Sequence, residues 1–364
     1  MQAFSADKIF NGSGWLHNHA LIINNGKVAD IIPTHFVPTV FPVKHYSNCF
    51  IAPCFIDVQV YGASSKLFSA YPSIDSLNKL YKYSGKGGAK YFLPTVATNT
   101  NEVFYKCIDT VREYWKADGK GILGLHIEGP WINKDKRGAH IEELVTQPER
   151  AEVEAILDYG KDVIRMITLA PEVCSTEIVG LIQSRGVIVS AGHSNATYKQ
   201  AINAFDSGIK TATHLFNAMS ALQHREPGLA GAILNHRDVM CSIIPDGHHV
   251  DYAAISIAKK VMKERLFIIT DAVTETPEGP YPHQLDGDKY VANGILSGSA
   301  LTMMKGVRNC VEHAGIELDE ALRMASLYPA KMLGLENELG KLEKGFRADF
   351  VVINNKLEVA KSSV

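Results

Sequence analysis

The stretch ILGLHIEGP, residues 122–130, is a short apolar run that ends in His126, Glu128 and a Gly-Pro turn. Similar runs of strand length recur through the middle of the chain, and amphipathic stretches with helical periodicity separate them. Eight such units in about 280 residues predict a (β/α)8 barrel, whose usual size is roughly 250 residues. The eight runs are FIDVQV (55–60), YFLPTVAT (91–98), ILGLHIE (122–128), RMITLA (165–170), VIVSAGHS (187–194), TATHLF (211–216), MCSIIPDG (240–247) and LFIITDA (266–272).

The helices between these runs are predicted at 75–86, 101–117, 148–159, 176–184, 196–207 and 252–264. The interval 217–239 gives only a weak helical pattern, around LAGAIL. A doubly wound open sheet is the structural alternative. However, no GxGxxG follows a first strand and no GxxxxGK[ST] occurs, so nothing indicates a nucleotide-binding sheet.

Both ends of the chain have a β-rich pattern. The first 50 residues contain short strands broken by turns, and Asn25-Gly26 is a strong hairpin signal. Residues 340–360, GKLEKGFRADFVVINNKLEVA, contain two more short apolar runs. We therefore predict a small β-sandwich domain from residues 1–50 plus 336–364, and a catalytic barrel over 51–335.

Composition excludes several classes of function. The 37 Lys and Arg nearly balance the 39 Asp and Glu, for a formal charge of -2, which argues against a nucleic-acid partner. No run of 18 apolar residues predicts a membrane span, and the N-terminus has no secretory pattern. The six cysteines are scattered without a CxxC pair, which is typical of reduced thiols. We expect a cytoplasmic protein.

Ionisable side chains follow five of the eight runs, and active sites of barrels lie at these carboxyl ends. Glu128, His193 and His214 together suit one divalent metal ion, because two imidazoles and a carboxylate form a catalytic zinc set with a position open for water. Zn2+ is the expected ion, and Fe2+ or Co2+ fits the same ligands. His126, His140, His248 and His249 are candidates for the surroundings of the ion.

Asp271 follows the last run, close to the expected metal-bound water. A carboxylate there can take a proton from water and return it to a leaving amine. The alternative is a helix N-cap. The sequence ETPEGPYP that follows does not read as a helix, which favours the acid/base role.

Ten segments together resemble the N-acetylglucosamine-6-phosphate deacetylases of the amidohydrolase superfamily. The segments THLFNAMSALQHREPGLAGAIL and LSGSALTM are specific to that family rather than to the superfamily. The others are PCFIDVQVYG, LGLHIEGPWIN, ITLAPE, VSAGHSNATY, IPDGHHVDY, TDAV, ASLYPAKMLGL and GKLEKGFRADFVV.

The resemblance implies hydrolysis of the N-acetyl group of a phosphorylated amino sugar, with Glu128, His193 and His214 on the metal and Asp271 as acid/base. It implies that His140 holds the acetamide carbonyl and that Arg225 and His249 bind the phosphate. Arg225 can come from the neighbouring subunit in that family, which implies a homodimer; the alternative is a surface salt bridge with Glu226. The remaining residues expected at the substrate are Ala139, Asn217, Ala218, Leu296, Ser297 and Gly298.

One departure concerns the end of the first strand. Many amidohydrolases have His-x-His there and bind a second ion, whereas this chain has Gln59-Val60-Tyr61. Neither side chain is a good zinc ligand, so we predict one ion per chain. Gln59, Tyr61 and His248 are kept as pocket candidates.

Three alternatives stay open. The substrate could be a related sugar such as N-acetylgalactosamine 6-phosphate, which differs at one hydroxyl. An amidohydrolase that opens cyclic amides or deaminates bases usually has His-x-His on strand one and often a lysine on strand four, and both are missing here. A non-catalytic barrel is disfavoured because all the expected metal ligands and the acid/base residue are present in this sequence.

Overall fold

The computed structural model describes residues 1–362, and its elements are numbered below in chain order. The strands are β1 (Gln2–Phe10), β2 (Trp15–His17), β3 (His19–Asn24), β4 (Lys27–Pro33), β5 (Val43–Pro53), β6 (Phe55–Val60), β7 (Gly62–Ala63), β8 (Lys66–Leu67), β9 (Ala89–Ala97), β10 (Leu125–Glu128), β11 (Ile164–Leu169), β12 (Ile188–Ala191), β13 (Thr211–Ala212), β14 (Met240–Ile243), β15 (Leu266–Ile268), β16 (Gln284–Asp286), β17 (Lys289–Ala292), β18 (Ile295–Ser299), β19 (Phe350–Asn354) and β20 (Val359–Ser362). The α-helices are α1 (Ile74–Lys86), α2 (Asn101–Lys116), α3 (Arg150–Tyr159), α4 (Thr176–Ser184), α5 (Tyr198–Asp206), α6 (Gly228–Asn235), α7 (Tyr252–Met262), α8 (Met303–Glu312), α9 (Leu318–Ala325) and α10 (Leu327–Met332).

Eight parallel strands form a closed barrel at the centre of the molecule. Their order is β6-β9-β10-β11-β12-β13-β14-β15, which is the order of the chain. Val60 at the end of β6 makes a parallel bridge with Ala272, beyond β15, and the Asp271 N–H donates to the Gln59 carbonyl at 3.0 Å. This closure confirms the predicted (β/α)8 barrel and excludes the open doubly wound sheet.

A buried carboxylate fastens the seam between the first and last barrel strands. Asp57 on β6 accepts hydrogen bonds from the Thr270 hydroxyl at 2.5 Å and the Thr270 N–H at 3.2 Å. Burial raises the pKa of Asp57 to about 7, although the hydrogen bonds from Thr270 oppose that shift. The seam lies directly before Asp271, so it fixes the backbone that carries this residue.

Helix α1 shows why the predicted helices form. The Ser73 hydroxyl accepts from the Ser76 N–H as an N-cap, Leu77 and Leu80 are buried, and the helix ends at Gly87. All six predicted helices are present within a few residues of their expected bounds. The weak interval 217–239 contains the short helix α6.

Several strands are shorter than their apolar runs. The run 211–216 forms only the two-residue strand β13, because His214 and Phe216 have left-handed backbone angles, φ 39° and 76°, that end the extended conformation. Between β15 and α8 lies an antiparallel sheet, β16-β17-β18, that the sequence pattern does not reveal.

The two ends of the chain share one seven-stranded sheet. Its order is β20-β19-β5-β1-β3-β4, with β2 paired to β1, and Phe50 on β5 lies opposite Ile353 on β19. Asn25 and Gly26, both with positive φ, make the predicted hairpin turn between β3 and β4. A small β domain made from both ends is thus confirmed; the boundaries 1–50 plus 336–364 and 51–335 stay a prediction. The core of this domain contains Ala6, Ile9, Leu21, Ile23, Val28, Ile51, Leu342, Ala348, Phe350 and Val352.

Two further observations concern the chain as a whole. None of the helices within residues 1–362 has the length and apolar character needed to cross a bilayer. All six cysteines are free, and only Cys49 is partly exposed.

Candidate active site

The predicted metal ligands and Asp271 meet at the carboxyl ends of the barrel strands. Glu128 is the last residue of β10, and His193, His214 and Asp271 follow β12, β13 and β15 within three residues. The last three have left-handed φ angles of 47°, 39° and 53°, which non-glycine residues rarely adopt. Such backbone strain persists where the surrounding structure enforces it, and it is common at functional sites.

Three ligand atoms form a triangle suited to one metal ion. Glu128 Oε1 lies 3.3 Å from His193 Nε2 and 3.2 Å from His214 Nε2, and the two Nε2 atoms are 3.1 Å apart. Tetrahedral bonds of about 2.0–2.2 Å place ligand atoms roughly 3.3–3.6 Å apart, so the triangle fits an ion with little adjustment. His193 Nδ1 donates to the Lys136 carbonyl at 3.0 Å, which leaves a lone pair on Nε2 for the ion.

A fourth imidazole, His140, approaches the other side of the same carboxylate. Its Nε2 lies 3.2 Å from Glu128 Oε2, and Glu128, His140 and His193 are also close enough to hold an ion. The Nε2 atoms of His193 and His214 lie beside Oε1, whereas that of His140 lies beside Oε2. Burial tends to raise the pKa of Glu128, but the charge of His193 and the hydrogen bond from His140 outweigh it and hold this pKa well below its usual range.

The hydrogen bonds of His140 define which ring nitrogen carries the proton. Glu128 Oε2 is an acceptor, so His140 Nε2 is the donor, and Nδ1 then accepts from the Thr98 hydroxyl at 2.6 Å. Burial, with the nearby charge of His193, lowers the pKa of His140 to about 4. A neutral His140 with its proton on Nε2 can donate to an oxygen atom beside the metal site.

Gln59 and Tyr61 occupy the end of the first strand with hydrogen-bond donors instead of metal ligands. Gln59 Nε2 lies 2.9 Å from Glu128 Oε1, 2.7 Å from Asp271 Oδ1 and 2.7 Å from the Tyr61 hydroxyl. The Tyr61 hydroxyl donates to Glu128 Oε2. The amide nitrogen has no lone pair to offer an ion, and one ion per chain stays a prediction.

Asp271 is buried, with 9% of its surface exposed, and its Oδ1 accepts from Gln59. Burial raises the pKa of Asp271; the charge of His214 opposes this shift and that of Glu128 adds to it. A carboxyl with a raised pKa is a better proton donor to a leaving group than an exposed aspartate.

A second polar group, built on Asp246 and His249, lies at the end of β14. Asp246 Oδ2 is 2.6 Å from His249 Nδ1, and the N–H groups of His248 and His249 donate to Oδ1. Burial tends to raise the pKa of Asp246, but its hydrogen bond and attraction to His249 lower it overall. The Asp246 carboxylate accepts from the His249 Nδ1–H and so fixes the orientation of this ring in the pocket.

These groups line one pocket with a cavity volume of about 190 Å³. It includes most of the predicted residues: Tyr61, Glu128, Ala139, His140, His193, His214, Asn217, Ala218, His249, Asp271, Leu296 and Ser297. The sequence reasoning missed six other lining residues: Ala97, Gly138, Ile244, Val273, Tyr281 and His283. Tyr281 and His283 follow the TDAV segment within a dozen residues, and that proximity is the signal available in the sequence.

Five predicted residues lie outside the lining of this pocket. One is His126, a buried ring whose Nδ1 contacts the Val58 carbonyl at 3.1 Å and whose Nε2 contacts the Thr168 hydroxyl at 2.8 Å. Gln59 lies beneath it, Gly298 is next to Ser297 on β18, and the His248 Nε2 contacts Asp288 at 2.6 Å. Arg225 is exposed and makes no ion pair or hydrogen bond through its side chain within residues 1–362. The alternative of a salt bridge with Glu226 therefore does not occur, and within the described chain neither Arg nor Lys lines the pocket.

Comparisons with known proteins agree with this geometry. The sequence pattern of the amidohydrolase family matches residues 50–364, and that of the NagA composite domain matches residues 1–42. An N-acetylglucosamine-6-phosphate deacetylase of Haemophilus influenzae is 35% identical over 94% of this chain and 93% of its own length. An N-acetylgalactosamine-6-phosphate deacetylase of Escherichia coli O157:H7 is 34% identical over 97% and 95%. The crystal structure of the N-acetylglucosamine-6-phosphate deacetylase of Pasteurella multocida superimposes with a TM-score of 0.94 at 34% identity, covering 100% of this chain and 98% of that one.

Proposed function

The chain belongs to the amidohydrolase family, and on that basis we propose that it hydrolyses N-acetyl-D-glucosamine 6-phosphate to D-glucosamine 6-phosphate and acetate, in amino-sugar catabolism or recycling. The observation that carries this proposal is the convergence of Glu128, His193 and His214 with Asp271 in one pocket. A metal-binding triad beside a buried carboxylate is an arrangement that can carry out metal-assisted amide hydrolysis.

The metal ion is proposed to be a single Zn2+, held by Glu128, His193 and His214. Two imidazoles and one carboxylate with an open position form a catalytic zinc set, and Fe2+ or Co2+ fits the same ligands. Such an ion lowers the pKa of a bound water and polarises the amide carbonyl.

Asp271 and His140 supply the proton transfers and the oxyanion contact. Asp271 accepts a proton from the attacking water, and it then protonates the sugar nitrogen as the C–N bond breaks. The His140 Nε2–H donates a hydrogen bond to the carbonyl oxygen, where negative charge develops in the transition state. The Thr98 hydroxyl, 2.6 Å from Nδ1, keeps that proton on Nε2.

We propose that His249 and Arg225 bind the phosphate. His249 lies in the pocket, and the contact of its Nδ1 with Asp246 Oδ2, at 2.6 Å, holds the ring where it can meet the phosphate. Arg225 offers a planar fork for two phosphate oxygens, but it is exposed and outside its own pocket. In a homodimer it would reach the neighbouring subunit's pocket, and the exposed Leu222 on the same loop supplies apolar surface for such a contact.

N-Acetylgalactosamine 6-phosphate is the second candidate substrate. It is supported by the 34% identity to the Escherichia coli enzyme named for that sugar, and the two sugars differ at a single hydroxyl. For the location we propose the cytoplasm, because six free cysteines are typical of a reducing compartment.

The test is acetate release by the purified protein from both acetylated sugar phosphates, with metal content measured on the same sample. We expect rapid release from N-acetylglucosamine 6-phosphate with one ion per chain. Bound metal without release from either sugar would contradict the proposed function.

A further inference from the structure

One wall of the pocket is made by residues that the proposed proton transfers do not use. Tyr281 and His283 lie in the loop after the last barrel strand, and Ser297 lies on β18. Tyr281 and His283 are only 3% and 7% exposed, although both line the pocket. The small sheet β16-β17-β18 directly follows His283, so this loop is anchored on both sides.

The His283 ring is held in a fixed position. Its Nδ1 is 2.9 Å from the Ser297 Oγ, and it stacks on Tyr281 with ring centres 6.0 Å apart and an interplanar angle of 9°. Tyr281 in turn packs edge-on against His140, with centres 6.5 Å apart. The Nε2 of His283 has no hydrogen-bond partner within residues 1–362.

This arrangement gives His283 a different chemistry from that of His249. His249 faces the carboxylate of Asp246, whereas His283 faces a neutral hydroxyl. Burial lowers the pKa of His283 to about 4, and the charge of His140 adds to the effect. The ring is therefore neutral near pH 7, which suits a hydroxyl and not a phosphate.

The pair with Ser297 offers both halves of a hydroxyl-binding site. If the Ser297 hydroxyl donates to Nδ1, the proton lies on Nε2 and the ring donates into the pocket. If Nδ1 donates to Ser297 Oγ, then Nε2 accepts and the Ser297 hydroxyl is free to donate. Either tautomer leaves a donor and an acceptor, which matches the dual character of a sugar hydroxyl.

We propose that His283, together with Ser297, binds a ring hydroxyl of the amino sugar and determines which sugar the enzyme prefers. The inference rests on the proposed function, which places the acetamide at His140 and the phosphate at His249. The sugar ring must lie between these two ends. On the pocket wall the Tyr281 ring lies between His140 and His283, so His283 lies further along the wall from the acetamide site.

The experiment compares kcat/KM of the wild type, His283→Phe and His283→Gln. The substrates are N-acetylglucosamine 6-phosphate, its 3-deoxy and 4-deoxy analogues, and N-acetylgalactosamine 6-phosphate. Phenylalanine keeps the ring volume without polar atoms, and glutamine keeps an amide donor and acceptor. The matched control is His45→Phe, because the His45 Nδ1 makes a similar contact to Ser5, at 3.0 Å, in the terminal sheet away from the pocket.

We expect His283→Phe to lower kcat/KM on the parent sugar about tenfold, the size of one hydrogen bond. On the 4-deoxy analogue the same change should cost less than about twofold, because the 4-hydroxyl is the one at which the two epimeric sugars differ and it is already missing. The preference between the two epimeric sugars should also change. His283→Gln should recover part of the loss, and metal content and melting temperature should stay at the wild-type values.

Equal losses on the parent and both deoxy analogues would overturn the inference, because they would show that His283 supports the pocket without binding a hydroxyl. Loss of metal from both variants would overturn it as well. These outcomes are distinct from failure of the proposed function, which would appear as a wild type inactive on every acetylated sugar.

Discussion

Replacing Asp271 with Asn tests the proposed proton transfer most directly. Asparagine keeps an oxygen that can accept the hydrogen bond from Gln59, which is 2.7 Å long, so the local packing stays intact. It cannot take a proton from water. General acid–base catalysis contributes about 10²–10⁴-fold, so kcat should fall by that factor, about 2.7–5.4 kcal/mol at 1.36 kcal/mol for each tenfold change.

The dependence of kcat/KM on pH is a second test of the role of Asp271. A base must be ionised, and burial raises the pKa of Asp271 above the ordinary 3.8. Wild-type kcat/KM should therefore be present above this raised pKa and lost as the pH falls through it. The residual activity of Asp271→Asn should lack that acidic limb.

The assay is acetate release, together with metal content and melting temperature of each sample. Metal should remain at one ion per chain, and the melting temperature should not fall, because the change removes a charge whose burial is unfavourable. A variant with near-normal kcat would refute the acid/base role. A variant that loses its metal would show instead that Asp271 is a ligand.

Three further predictions follow from the same structure. Arg225→Ala should raise KM for the phosphorylated sugar much more than for unphosphorylated N-acetylglucosamine. Mixing the Arg225→Ala and Asp271→Asn variants should restore activity, because a mixed dimer has one pocket with Asp271 and with Arg225 from the other subunit. Equal KM changes for both sugars, or no restored activity, would contradict binding across subunits. The free energy of unfolding should decline by about 1.4 kcal/mol for each pH unit between 3.8 and about 7, because the Asp57 carboxyl keeps its proton to a higher pH in the folded chain than in the unfolded one. Urea titrations at several pH values measure this decline, and Asp57→Asn should flatten it. Chelation should abolish acetate release and lower the melting temperature, and His193→Ala should show the same low temperature with or without chelator; an unchanged melting temperature in the chelated wild type would contradict the metal site.

The barrel could be predicted because its strands are short runs of mostly apolar residues. Each run is buried on both sides, as in FIDVQV, where all six residues are buried. The sheet β16-β17-β18 was missed for the opposite reason. In its first strand, Gln284–Asp286, all three residues are exposed, including Leu285, so no buried apolar face marks it in the sequence.

The same contrast holds for the site. Glu128, His193 and His214 are recognisable because each ionisable side chain follows directly on an apolar run. Thr98 also ends such a run, yet its role depends on a hydrogen bond to His140, which is 42 residues away. Contacts of this kind are fixed by tertiary packing, and a single sequence contains no local pattern for them.

The terminal sheet has a consequence for how the chain folds during synthesis. Strand β5 ends at Pro53, and its partner β19 begins at Phe350. At about 5–20 residues per second, the ribosome takes roughly 15–60 s to make the intervening barrel. During that time β5 has one unpaired side, which is a template for pairing with another chain. The sheet at the N-terminus therefore reaches its full set of strands only after β19 has been made.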